Sequence, residues 1–74
     1  MKFIIFSKPD CSWCTKAKEL LTQHHIQYTE FDITTDITAN TFLKESKLNS
    51  VPQIFHNGRL VGGYLALENY IGVN

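Results

Sequence analysis

The sequence predicts an α/β fold: a four-stranded mixed sheet with helices, in the order β-α-β-α-β-β-α. Three observations predict it. Phe3-Ile4-Ile5-Phe6 is an unbroken apolar run, the pattern of a strand buried on both faces. The residues after it switch to helical spacing. Asn57-Gly58 then sits between two apolar runs, the strongest short hairpin signal, because a type I′ turn needs positive φ at both positions.

Each element follows in order. Pro9 and Asp10 punctuate the first strand. From Ser12 to about His24, Ala17, Leu20, Leu21 and His24 share one helical face at i, i+3, i+4 and i+7. Lys16, Lys18, Glu19 and Gln23 take the wet face. Residues 27–33 read as a second strand. Asp36 is suited to cap a helix reaching about Lys47, with Phe42 and Leu43 facing in. Residues 51–56 and 59–61 form the hairpin arms. Gly62-Gly63 opens a last helix, from about Tyr64 to Ile71. The strand–helix–strand start implies a parallel pair, and the hairpin adds an antiparallel edge.

With 74 residues, one domain spanning 1–74 is expected. Hydrophobic residues at 43% and charged residues at 19% fit a globular chain rather than a disordered one. Seven basic and seven acidic residues give zero net charge, which argues against nucleic acid or an anionic membrane as the main partner. No run approaches the roughly 20 apolar residues of a spanning helix. The apolar start is too short for a signal peptide and ends at Ser7-Lys8-Pro9-Asp10, so a cytoplasmic location is expected.

Both cysteines lie in Cys11-Ser12-Trp13-Cys14. In a reducing cytosol such a pair is more often catalytic or metal-binding than a staple, and a disulfide here closes only a tiny loop. Zinc wants four ligands; one C-x-x-C is present, and His24, His25 and His56 show no finger spacing, so no metal site is expected. His24-His25 read as solvated cations at a helix end. Trp13, in a turn beside Ser12, is expected to be exposed. With Cys11 at the N-terminus of the first helix, free N–H groups and the helix dipole favour its thiolate over its thiol. Lys8 can add positive charge, and adjacent Asp10 opposes it. Cys14, one turn deeper, would attack the resulting mixed disulfide. Pro52 follows Val51 at a strand start, where its missing N–H is tolerated. A cis bond there would leave the backbone of Val51 free to pair with a bound peptide.

These residues resemble a glutaredoxin of the dithiol type, with the thioredoxin-like fold. Ser7-Lys8 with Cys11-Ser12-Trp13-Cys14 is similar to the family's S-K-x-x-C-P-Y-C. Ala17-Lys18-Glu19-Leu20-Leu21 is similar to A-K-x-L-L, Ser50-Val51-Pro52-Gln53-Ile54-Phe55 to T-V-P-Q-I-F, and Gly62-Gly63-Tyr64 to G-G-x. Asn57-Gly58 falls at the family's hairpin turn. The resemblance spans nearly the whole chain. It implies a glutathione-dependent thiol–disulfide oxidoreductase serving electron transport and redox homeostasis, with glutathione as co-substrate. Cys11 would be the nucleophile and Cys14 the resolving thiol. Lys8, Trp13, Val51, Pro52, Gly63, Tyr64 and Leu65 would contact glutathione. Disulfide-containing or glutathionylated proteins would be the clients, a ribonucleotide reductase among them, and a monomer is expected.

Three departures from the pattern stand out. Ser12 replaces Pro, and some family members with Ser there hold a glutathione-ligated [2Fe-2S] cluster, so a cluster carrier is one alternative. Trp13 replaces Tyr. Leu65-Ala66 stands where the family has Asp-Asp or Thr-Asp, so the carboxylate that meets the glutathione amino group is missing. That favours a second alternative, an NrdH-type redoxin reduced by thioredoxin reductase.

Overall fold

The fold is built as β1 (Phe3–Ser7), α1 (Ser12–Gln23), β2 (Tyr28–Asp32), α2 (Ile37–Glu45), β3 (Gln53–His56), β4 (Arg59–Gly62) and α3 (Tyr64–Ile71). A computed structural model describes residues 2–72. The element order is the one expected, and the sheet runs β2-β1-β3-β4. β1 pairs parallel with β2, Ile5 opposite Glu30, and antiparallel with β3, Ile5 opposite Ile54. β3 and β4 form the hairpin, with Asn57 at φ 53° and Gly58 at φ 84° supplying the two left-handed positions.

The period of two along each strand divides the core. Phe3, Ile5 and Ile54 join Ala17, Leu20 and Leu21 of α1 and Leu67 of α3 on one face. On the other face Phe6 packs with Ala39 and Leu43 of α2, backed by Ile4, Phe31 and Phe55. The buried stripe of α1 is thus Cys14, Ala17, Leu20 and Leu21.

Several boundaries and orientations differ from the sequence reading. His24 is exposed rather than on the apolar face, because α1 ends at Gln23 and His25 turns left-handed at φ 58°. α2 stops at Glu45, two residues before Lys47, which also turns left-handed (φ 61°). Phe42 keeps 42% of its surface exposed, while Leu43 points inward as expected. β3 begins at Gln53, since Pro52 has no N–H to give to the ladder. Asp36 caps α2 as anticipated, its carboxylate accepting the Ala39 N–H at 3.0 Å.

Candidate active site

The site begins where β1 hands the chain to α1. Asp10 adopts φ 58°, a left-handed turn that aspartate tolerates, and sends the backbone into the helix. Cys11 is the N-cap of α1, with extended backbone at φ −112° and ψ 103°. Its Sγ accepts the Cys14 N–H at 3.2 Å. The Cα atoms of the two residues stand 5.2 Å apart and the sulfurs are joined as a disulfide. Exposure separates the pair: Cys11 is half-buried and Cys14 is 1% exposed. The outer sulfur therefore meets solvent first, and the inner one is reached through it.

The loop before β3 forms the far wall. The Val51 carbonyl oxygen lies 3.9 Å from Cys11 Sγ, and the Val51–Pro52 bond is cis. Gly63 caps α3 without a side-chain hydrogen bond, so no capping side chain serves the first-turn N–H groups, which lack intrahelical acceptors. Gly62 is required just before it: its φ is +125°, and a Cβ there would stand 2.9 Å from Ala66 Cβ.

A groove of about 310 Å3 runs between these walls. It brings together Trp13, Val51, Pro52, Gly63, Tyr64 and Leu65, six of the residues singled out from sequence. Lys8 is not among its lining residues. It lines a neighbouring cavity on the other side of Val51, with Asn40, Lys44 and Leu48. Trp13 is half exposed, as expected, and its ring packs on Tyr64 with centroids 5.5 Å apart.

Sequence reasoning missed two contributors. Lys16 is exposed on the wet face as expected, and its Nζ also rests 4.8 Å over the Trp13 ring and 5.9 Å from that of Tyr64. The i,i+3 spacing of Trp13 and Lys16 was the available signal. An exposed contact of this kind contributes about 0.5–1 kcal/mol. The second is Glu30. Ser7, the last residue of β1, donates its hydroxyl to Glu30 Oε2 at 2.5 Å, and Lys18 of α1 donates to the same oxygen at 2.9 Å. The Ser7 hydrogen bond and then the Lys18 one hold the Glu30 carboxyl below the usual carboxylate range. One carboxylate thus ties both elements that bracket the cysteine loop. Among the described residues no group of three or more His, Cys, Asp or Glu is placed to hold a metal ion. A cluster bound through Cys11 would need its remaining ligands from outside the chain.

Residues 3–61 match the family model for glutaredoxins. The chain belongs to the glutaredoxin family. It is 38% identical over 66 residues to a hybrid peroxiredoxin, hyPrx5, of Haemophilus influenzae, covering 89% of this chain but 27% of that protein. The chain thus spans well under half the length of the first relatives it matches. Two solved structures share the thioredoxin-like fold. One is the buckwheat glutaredoxin–glutathione complex, at TM-score 0.78 and 22% identity, covering 95% of this chain and 69% of that one. The other is the NrdH-redoxin of Escherichia coli, at TM-score 0.86 and 15% identity, covering 100% and 99%. The family and fold expected from the sequence are therefore the ones found.

Proposed function

We propose that the chain is a small thiol–disulfide oxidoreductase that cycles Cys11 and Cys14 between dithiol and disulfide, with glutathione as reductant. The observation that carries this is the half-buried N-cap sulfur of Cys11 bonded to a fully buried partner one turn along. In the reduced state the Cys14 N–H and the N-terminus of α1 stabilise a Cys11 thiolate. That thiolate attacks one sulfur of a substrate disulfide. The substrate S–S bond breaks, one thiolate leaves and takes a proton, and Cys11 is held in a mixed disulfide. The Cys14 thiolate then attacks Cys11 Sγ, releasing the second substrate thiol. Two electrons have passed to substrate, and the Cys11–Cys14 bond remains. Two glutathione thiols restore the dithiol and leave as glutathione disulfide. Glutaredoxins poise at roughly −200 to −230 mV, close to the less reducing estimates for cytosolic glutathione, so excess glutathione drives the cycle.

In this reading Val51 pairs its backbone with the cysteine of glutathione beside cis Pro52, and Trp13 lids the groove. Gly63, Tyr64 and Leu65 open their N–H groups to the γ-glutamyl carboxylate at the start of α3. Lys8 serves the glycine carboxylate from across Val51. The buckwheat relative solved in complex with glutathione supports this reading. Proteins with disulfides or glutathionylated cysteines, a ribonucleotide reductase included, are the proposed clients of a cytoplasmic monomer.

One observation favours a second reading, reduction by thioredoxin reductase in the manner of an NrdH-type redoxin. The groove presents Leu65 and Ala66 at the start of α3, and no Asp or Glu lines it. The glutathione ammonium would find no carboxylate there. Turnover of a small mixed disulfide separates the readings. One arm supplies NADPH, glutathione reductase and glutathione; the other supplies NADPH and thioredoxin reductase. Turnover in the first arm is expected, and turnover in the second alone would replace the glutathione reading with the NrdH-type one. Cys11→Ser should abolish both activities; residual exchange would remove the nucleophile assignment.

A further inference from the structure

The Trp13–Tyr64 pair does more than wall the groove: it seats a cation. Lys16 is exposed on α1, yet its Nζ stands 4.8 Å over the Trp13 ring and 5.9 Å from the Tyr64 ring. It has no carboxylate partner among the described residues, where the ion pair formed is Lys18 with Glu30. The groove beside it is lined by Trp13, Gln53, Tyr64 and Leu65 with small neighbours, and it holds no acidic side chain. Lys8 and Lys44 line the next cavity, beyond Val51, which also lacks an acidic side chain. Asp10, the exposed carboxylate beside Cys11, lines neither space, and Lys16 borders the groove through the Trp13 and Tyr64 rings that line it. A peptide laid along Val51 to bring its disulfide to Cys11 Sγ would therefore meet no acidic side chain in either space, with Asp10 the carboxylate beside the nucleophile itself.

We propose that Lys16, seated on Trp13 and Tyr64, is a specificity-determining residue that selects peptide and protein disulfides carrying an acidic residue next to the reacting cysteine. The inference rests on the thiol–disulfide exchange proposed above and adds no step to it. The rings restrict where the ammonium sits, so its charge is presented at the groove instead of being spread over solvent. An ammonium held only by an exposed aromatic contact exchanges that contact for a charge-assisted hydrogen bond when a carboxylate arrives. A basic residue at the same place meets Lys16 as a like charge.

The test uses two disulfide-bonded peptides that differ only in Asp or Lys next to the cysteine. Each is reduced by the full chain, by Lys16→Gln and by Lys16→Glu, with the same reductant throughout. The reading is the acidic-to-basic ratio of kcat/KM, in which any common change in folding or thiol chemistry cancels. Wild type should prefer the acidic peptide by about threefold to fivefold at low salt, the scale of one exposed charge pair. Lys16→Gln should bring the ratio near one, Lys16→Glu should invert it, and about 1 M salt should flatten all three. An unchanged ratio across the three proteins would overturn the assignment while leaving the exchange chemistry intact. Absence of turnover of either peptide by wild type would instead sink the exchange reading, and this inference with it.

Discussion

The two faces of the sheet are closed in different ways. On one, α1 and α3 cover the strands together, and Ile5, Leu21, Ile54 and Leu67 are each 0% exposed. On the other, the nine-residue α2 works alone. It buries Ala39 and Leu43 but leaves Phe42 half exposed and Ile37 almost wholly so. That face relies on aromatic contacts instead: Phe6 stacks with Phe31 and Phe42 at 5.5 and 5.4 Å, and meets Phe55 edge-on at 5.7 Å. The difference has a functional side. Cys14 lies on α1, within the buried stripe that closes the tightly covered face, so the inner sulfur is held by the more deeply buried of the two faces. The α2 face is free of that duty and tolerates looser packing.

The comparison can be broken most directly at Leu67. Truncation to Ala in a fully buried site costs about 2–5 kcal/mol through lost transfer energy and a cavity. A domain of this size has only about 4–11 kcal/mol in all. Leu67→Ala should therefore lower the urea midpoint steeply. A loss of less than about 1 kcal/mol would mean that the α1–α3 face is not the main source of stability. On the α2 face Phe42→Ala should cost about 1–2 kcal/mol, well below the roughly 3–5 kcal/mol of a buried aromatic, because half its surface is already wet. Equal losses at the two sites would erase the contrast.

A smaller effect sharpens it. Asp36 gives α2 its only side-chain N-cap bond, to the Ala39 N–H. Asp36→Ala should cost about 1 kcal/mol. Hydrogen exchange should report that loss first in the amides of α2, with those of α1 little changed. Uniform acceleration across both helices would show that the faces unfold as one unit and that α2 has no separate weakness.

How much of this was legible beforehand depends on how local each signal is. The cap at Asp36, the Asn57-Gly58 turn and the position of Cys11 before an amphipathic run are set by neighbours within four residues, and all three stand where the sequence put them. The groove was legible for a different reason: its residues lie in short runs, Val51-Pro52 and Gly63-Tyr64-Leu65, each carrying a recognisable pattern. Phe42 was misjudged because helical spacing tells which way a residue points but not how far the opposing sheet extends. Lys8 fell into a separate cavity because the width of Val51 and its loop is a tertiary quantity. The positions of Lys16 over Tyr64 and of Glu30 beside Ser7 join residues 48 and 23 apart in the chain, and no local pattern encodes them.

The smallest expected effect concerns the carboxylate that staples the edge of the tightly covered face. Glu30 sits on β2 opposite Ile5 and accepts from Ser7 and Lys18, which depresses its pKa, the Ser7 bond being the larger cause. A group depressed in the folded state adds stability above its unfolded pKa and loses it as pH falls through the folded value. Glu30→Gln should thus be less stable than wild type at neutral pH, with the gap closing as the solution is acidified below the ordinary glutamate range. The side chain of Glu30 is 37% exposed and that of Lys18 30%, so solvent screens the pair and the gap should stay under about 1 kcal/mol. Asp32 is also depressed, by its hydrogen bonds to Thr34, but it is common to both proteins and cancels in the difference. Parallel urea titrations of the two proteins from neutral to acid pH measure that difference. If it holds constant with pH, the staple acts through shape and not through charge. High salt then divides what remains: the Lys18 contribution should fade, while the Ser7 hydrogen bond, being short-ranged, should persist.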